Sequence, residues 1–175
     1  MDYFEALLFV LLSTGRILRT KIQKIIYFAS QLGITEDTFL PHYYGPYSRE
    51  VAETLESLVS LGFAREEIEI FSEGIGYLYS LTEDGKLLVT ELSKKIPPEH
   101  IDKLNKIIVA CKDASPLLLS LAAKVHFVLK ENKVPMTIDQ VCEYAKGLNW
   151  QISNDQITAA CMLLERLGFI KKQTG

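Results

Sequence analysis

Apolar residues recur at helical spacing through most of the chain, and polar side chains mark where each run begins. A Ser or Thr followed three residues later by Gln is a capping box, in which two side chains bond the free backbone donors of a helix start. Three occur, at Thr20 with Gln23, Thr137 with Gln140 and Ser153 with Gln156. Gly33, Gly147 and Gly168 close the runs that follow, in the place of the left-handed residue that ends many helices. Another helix is predicted from near Ser48 to Gly62, with Val51, Leu55, Leu58, Val59 and Leu61 as its buried stripe. After Gly62 the period shortens to two. Ile68 and Ile70 alternate with glutamates, Gly74-Ile75-Gly76 reads as a turn, and Tyr77 to Leu81 as the returning strand. Thr82 then caps a further helix, with Glu83 and Asp84 at its positive end.

Helices followed by a hairpin are the order of a winged helix-turn-helix. The form L-x-x-L-G-F occurs twice, at Leu58–Phe63 and at Leu164–Phe169. Helices are expected before the second copy at about 117 to 131, 138 to 146 and 154 to 167, with a strand after it. The fold class is therefore mainly α with a small β part (α+β), as two tandem winged helix-turn-helix-like units, the first with a β-hairpin wing. The expected division is 1–92 for the first unit, 93–114 for a linker with a connecting helix after Pro97-Pro98, and 115–175 for a second, reduced unit.

Composition changes little in this picture. Apolar residues make up 48% and charged residues 23% of 175, inside the globular range. The apolar runs Ala6 to Leu12 and Leu117 to Leu129 are too short or too interrupted to cross a membrane. Asp2 and Glu5 stand where a signal peptide would be basic, so a cytoplasmic protein is expected. Cys111, Cys142 and Cys161 lack C-x-x-C spacing and suit free thiols. Charge divides the chain: residues 1–93 carry 7 Lys or Arg against 14 Asp or Glu, and residues 94–175 carry 12 against 8. Phosphate contact is thus more plausible in the second half.

Nothing in the chain is arranged for chemistry. His42, His100 and His126 are far apart and lack metal-ligand spacing to one another. Ser48 has no identifiable base, and Gly74-Ile75-Gly76 is too short for a phosphate loop. No catalytic residue, metal or cofactor is expected. The stretch Lys21 to Ser48 instead reads as a surface for holding a macromolecule. Lys21, Lys24 and Tyr27 lie on an amphipathic helix, with Arg16 and Arg19 just before it. A stiff turn follows, His42-Tyr43-Tyr44-Gly45-Pro46-Tyr47-Ser48. Tyr43, Tyr44 and Tyr47 offer rigid contact area of the kind that concentrates binding energy, unless they pack inward around Pro46.

DNA is the alternative partner. The helix from Ser48 exposes Glu50, Glu53 and Glu56, which oppose phosphate approach. The helix from Ser153 offers Asn154, Gln156 and Thr158 for bases, with Lys171 and Lys172 for phosphates, although capping alone accounts for Ser153 and Gln156. The 14 residues between Gly33 and Ser48 far exceed the turn of a DNA-reading helix pair, which has about three or four. Trp150 reads as a core plug, and Leu117-Leu118-Leu119 as core or as the face of a homodimer.

The helix residues Lys21, Gln23, Lys24, Tyr27 and Phe28, followed by Tyr44, Gly45, Pro46 and Ser48, resemble the Panacea domain of toxin-antitoxin and phage-associated proteins, and the related YwgA-type proteins. The resemblance covers about residues 1 to 92. It implies a non-enzymatic, antitoxin-like regulator that binds and neutralises a partner protein, a toxin in that setting. The partner-binding set is then Lys21, Lys24, Tyr27, Tyr43, Tyr44, Gly45, Pro46, Tyr47 and Ser48. The alternative, a winged-helix transcriptional regulator, would use Arg16, Arg19, Asn154, Gln156, Thr158, Lys171 and Lys172.

Overall fold

A computed structural model describes residues 1–36, 38–72 and 74–171. It is mainly helical with one small antiparallel sheet, an α+β fold. In chain order the elements are α1 (Tyr3–Thr14), β1 (Ile17–Leu18), α2 (Arg19–Gln31), α3 (Arg49–Ser60), β2 (Ala64–Phe71), β3 (Gly74–Leu81), α4 (Glu83–Ser93), α5 (Pro98–Cys111), α6 (Pro116–Asn132), α7 (Ile138–Gly147) and α8 (Asn154–Arg166). The strand order is β1-β3-β2. Ile17 lies opposite Tyr79, and the hairpin pairs without a break from Ala64 opposite Leu81 to Phe71 opposite Gly74.

Most boundaries follow the capping chemistry. Ser48 caps α3 and Thr82 caps α4, and the boxes at Thr137 with Gln140 and at Ser153 with Gln156 both form. A further box, Asp2 with Glu5, opens α1. The box expected at Thr20 does not form. Strand β1 runs directly into α2, Leu18 holds the cap position without a side-chain bond, and Gln23 bonds Ser48 instead.

One stop signal recurs at four helix ends. In α3 the Gly62 amide donates to Val59 and the Phe63 amide to Leu58; in α8 the Gly168 amide donates to Glu165 and the Phe169 amide to Leu164. These paired bonds are the Schellman motif. Gly33 with Ile34 closes α2 in the same way, and Asn149 with Trp150 closes α7. Gly147 is consequently inside α7, and the left-handed residue is Asn149, at φ 58°. The L-x-x-L-G-F repeat thus encodes a shared helix stop that swings an aromatic ring back onto the core. Phe63 meets Phe4 edge-on at 6.2 Å, and Phe169 meets His126 at 4.5 Å. The strand expected after the second copy is absent through Lys171, and the remainder of that expectation lies outside the described residues.

The hairpin turn also falls elsewhere than expected. Gly74 and Gly76 belong to β3. A Cβ at Gly76 would stand 2.5 Å from the Phe71 ring and 2.9 Å from Leu18, so glycine there lets Phe71 lie across the strand.

α1 and the middle of α2 are buried on all sides, from Ala6 to Leu11 and from Ile22 to Ala29. A single cluster of buried apolar side chains includes residues of α1, α2, α5, α6 and α8. The connecting helix α5 contributes Leu104, Ile107, Ile108 and Cys111 to it, and α6 packs against both α2 and α8. Burial pushes the Cys111 thiol up to about 12. All three cysteines are free, with Cys142 and Cys161 half-buried. No helix among the described residues is long and apolar enough to cross a membrane.

Gly85 fixes how α4 leaves the sheet, because a Cβ there would overlap the Phe63 carbonyl oxygen. Gly85→Ala is expected to lower unfolding stability by about 1–3 kcal/mol, measured by urea denaturation.

Candidate functional site

The Tyr-Gly-Pro segment is a loop gripped by its own backbone and by three other parts of the chain. Leu40 and Tyr47 exchange backbone hydrogen bonds of 3.0 and 2.9 Å, and the Gly45 amide donates to the His42 carbonyl at 2.9 Å. α2 holds the far side. The Gln23 amide nitrogen donates to the Ser48 carbonyl at 2.8 Å, and its oxygen accepts the Ser48 N–H at 3.0 Å. One turn position on, Lys24 Nζ donates to the Pro46 carbonyl at 2.7 Å. From the α7–α8 connection, Trp150 Nε1 donates to the His42 carbonyl at 2.7 Å. From α6, the stem of Lys124 and the carbonyl of Ser120 stand so close to Gly45 that an added Cβ would meet them at 3.1 and 3.2 Å.

This grip decides which residues face outward. Tyr43 is 73% and Tyr44 59% exposed, their rings edge to face at 4.9 Å. Tyr47 is half-buried and stacks near His42 at 5.2 Å. Gly45, Pro46 and Ser48 are buried; they shape the turn and offer no contact area. The outward helix face expected at Lys21, Lys24 and Tyr27 does not exist. Lys24 is 2% exposed and Tyr27 1%, because α2 runs through the core. Lys21 is half-buried and its ammonium donates to the Lys112 carbonyl at 2.7 Å.

Burying an ammonium is costly, so the charged form gives way. Desolvation first, and then the nearby Lys124 charge, lower Lys24 to about 7. Its neighbour in the core, Tyr27, places its hydroxyl 2.8 Å from His126 Nδ1. Burial raises the Tyr27 pKa and lowers His126 to about 4, so near pH 7 the hydrogen bond joins an uncharged phenol to an uncharged imidazole. Phe28, Phe39 and Phe169 surround the two rings.

Beside the turn lies a cleft of about 450 Å³ between α2, α6 and α7, lined in part by Tyr27, Phe39, Leu40, Phe127, Lys130 and Tyr144. Leu40, which leads into the turn, is 65% exposed at its rim. Tyr144 is shared with a shallower depression of about 400 Å³ that Val134, Pro135 and Met136 help to line. Among the described residues no group of three or more His, Cys, Asp or Glu is placed to hold a metal.

Of the residues assigned to DNA, Arg16, Arg19, Asn154, Gln156 and Thr158 are engaged within the chain. Arg16 bonds Glu67 and Glu69, each at 2.8 Å, and the Arg19 guanidinium stands 4.4 Å over the Tyr77 ring. Asn154 accepts from the Cys142 thiol at 3.1 Å, Thr158 donates to the Asn154 carbonyl at 3.0 Å, and Gln156 is engaged in the α8 capping box. Lys171 is exposed, and Lys172 lies outside the described residues.

Gln23, Ser120, Lys124, His126 and Trp150 are the site residues that periodicity did not disclose. The available signal was Gln23-Lys24 inside an otherwise apolar run; polar residues there must be bonded.

No family model matches the chain. Over 90 residues, 50% of its length, it is 36% identical to the uncharacterized protein YwgA of Bacillus subtilis (strain 168), and the chain spans about half the length, 54%, of that relative.

Two outcomes test the grip. Gly45 has φ 93°, a strained value for any other residue, and an added methyl group would crowd Lys124 and the Ser120 carbonyl, so Gly45→Ala should cost about 1–3 kcal/mol in urea unfolding. Lys24 titrates lower folded than unfolded, so the unfolded chain binds the extra proton between about 7 and the ordinary 10.5. Stability should therefore rise with pH from about 7 toward 9.5, a rise that Lys24→Met should flatten, while the fall below about 6.5 that comes from His126, lowered to about 4, should persist in the variant.

Proposed function

We propose that the chain is a non-enzymatic, antitoxin-like regulatory protein of the cytoplasm, one that captures a partner protein on the Tyr43–Tyr44 corner and neutralises it by covering its active surface. The single observation that carries this reading is the exposure of Tyr43 and Tyr44, 73% and 59%, on a turn whose backbone is fixed at His42, Pro46 and Ser48 by Trp150, Lys24 and Gln23. Rigid aromatic anchors lose little conformational freedom on binding, and such residues dominate interface energies. The adjoining cleft and the exposed Leu40 supply apolar area around them.

The turn residues split into two roles under this reading. Tyr43 and Tyr44 touch the partner; Lys24, Gly45, Pro46 and Ser48 hold the turn in shape. The partner class, a toxin, comes from the likeness of the Lys21-to-Ser48 segment to Panacea antitoxin domains. The order α1-β1-α2-α3-β2-β3 with strands arranged β1-β3-β2 supports a winged-helix assignment for residues 1–92, with α6, α7 and α8 in a second, reduced winged-helix-like unit over 115–175.

Affinity capture from the source cell, followed by titration calorimetry with the recovered protein, tests the proposal. The double variant Tyr43→Ala, Tyr44→Ala should unfold like the parent, since both rings are exposed, yet bind at least about tenfold more weakly. Undiminished binding by the folded variant would overturn the site.

A further inference from the structure

Lys24 is the only Lys, Arg, Asp or Glu among the described residues that is fully buried, and no carboxylate among them pairs with it. Its amine makes a single hydrogen bond, to the Pro46 carbonyl at 2.7 Å. An ammonium has three protons to place, and one acceptor is in reach. A buried charge so poorly partnered is unfavourable, whereas the neutral amine fits.

The groups around the amine do not relieve this. From α6 comes Lys124, a second cation, whose Nζ stands 5.6 Å over the Trp150 ring and whose charge disfavours a proton on Lys24. α6 also brings His126, which forms the uncharged pair with Tyr27 of α2. Lys21, one turn earlier on α2, is engaged with the Lys112 carbonyl, and α5 contributes the Cys111 thiol, kept protonated by burial. The titratable side chains of the turn itself, His42, Tyr43, Tyr44 and Tyr47, are exposed or half-buried.

Of these surroundings, the turn is the part that can lift without a helix moving. Gly45 sits between the two lysines: a Cβ there would stand 3.1 Å from Lys124 Cγ and 3.6 Å from Lys24 Cε. Gly45 and Pro46 are buried, but the adjoining Tyr44 is exposed, so raising two residues opens the amine to water. Segments of this kind open at lower free energy than packed helices.

We propose that Lys24 is a proton-operated latch on the turn: when its amine takes up a proton, the Pro46 carbonyl is released and the Tyr43–Tyr44 corner comes free of the core, while α1 and α2 stay folded. The closed turn holds a neutral amine and the open turn a solvated ammonium. Lys24 titrates near 7 when closed and at the ordinary 10.5 when solvated, so opening gains as pH falls toward about 7 and the gain ends below it. Control of partner capture by the latch rests on the reading of the corner as a docking surface; the latch itself does not.

The test is amide exchange by NMR on the full, isotopically labelled chain without any partner, each rate being divided by that of an unstructured peptide at the same pH. The N–H groups of Gly45, Tyr47 and Ser48, which donate to His42, Leu40 and Gln23, should lose about tenfold of their protection between pH 8.5 and 7. At every pH they should be less protected than the core amides of α1. In Lys24→Met the same three amides should change by less than about twofold over that range. Lys124→Met keeps the stem beside Gly45 and removes the second cation, so its loss of protection should be smaller than the parent's; the parent and this variant decide the matter should Lys24→Met fail to fold. Turn protection that is independent of pH in the parent, that keeps its pH dependence in Lys24→Met, that falls as much in Lys124→Met as in the parent, or that equals the protection of α1 at every pH overturns the proposal.

Discussion

The backbone of the Tyr-Gly-Pro turn is tied to the core by a buried amide and a buried amine, and the arrangement around it follows from that tie. Gln23 bonds both the N–H and the C=O of Ser48, as a neighbouring strand would. With Ser48 fixed, its hydroxyl caps α3 by accepting the Val51 amide at 3.2 Å, so the direction of α3, and of the hairpin beyond it, starts from a side chain of α2. Lys24 holds the preceding carbonyl. Neither bond is available to a solvated helix. Both exist because α2 threads the centre of the molecule, where an unpaired polar group would carry a large desolvation cost.

The same contacts join the early and late parts of the chain. The His42 carbonyl accepts one bond from within the turn and one from Trp150, 108 residues away. Gly45 lies against Ser120 and Lys124 of α6, and Tyr27 of α2 faces His126 of α6. Trp150 is itself positioned by a helix stop: the left-handed Asn149 turns the chain so that the indole enters the core next to Phe127, at 5.7 Å. A local backbone rule at the end of α7 thereby delivers a donor to a turn far away in sequence.

The polar inventory falls into groups used inside and groups left outside. Arg16, Arg19, Lys21, Lys24, Asn154 and Thr158 all have partners within the chain. A neutral Lys24 amine still has N–H groups to donate to the Pro46 carbonyl, more weakly than an ammonium would, and without the cost of a buried charge. Exposed aromatic side chains gather at the turn, with Tyr43 and Tyr44, and exposed aliphatic ones at the hairpin, with Ile68, Ile70 and Ile75. Both are surfaces suited to contact, and each rests on a rigid scaffold. Along the chain α3 separates the turn from the hairpin.

By itself the sequence determined the helices and most of their ends, because capping boxes and the glycine stop act within a few residues. It also determined the hairpin, because a strand's period of two is written in Ile68, Ile70 and their glutamates. It placed Tyr44, Gly45, Pro46 and Ser48 in a turn. The fate of Gln23, Lys24 and Tyr27 was decided only by tertiary structure. Gln23 read equally well as the partner of Thr20 in a capping box, and Lys24 as a solvated cation. A periodic pattern reports which side chains share a helix face and leaves open how many faces other elements cover. When α5, α6 and the turn close over α2 from several sides, residues that local chemistry would assign to solvent become buried donors. The tyrosines beyond them are left as the exposed corner.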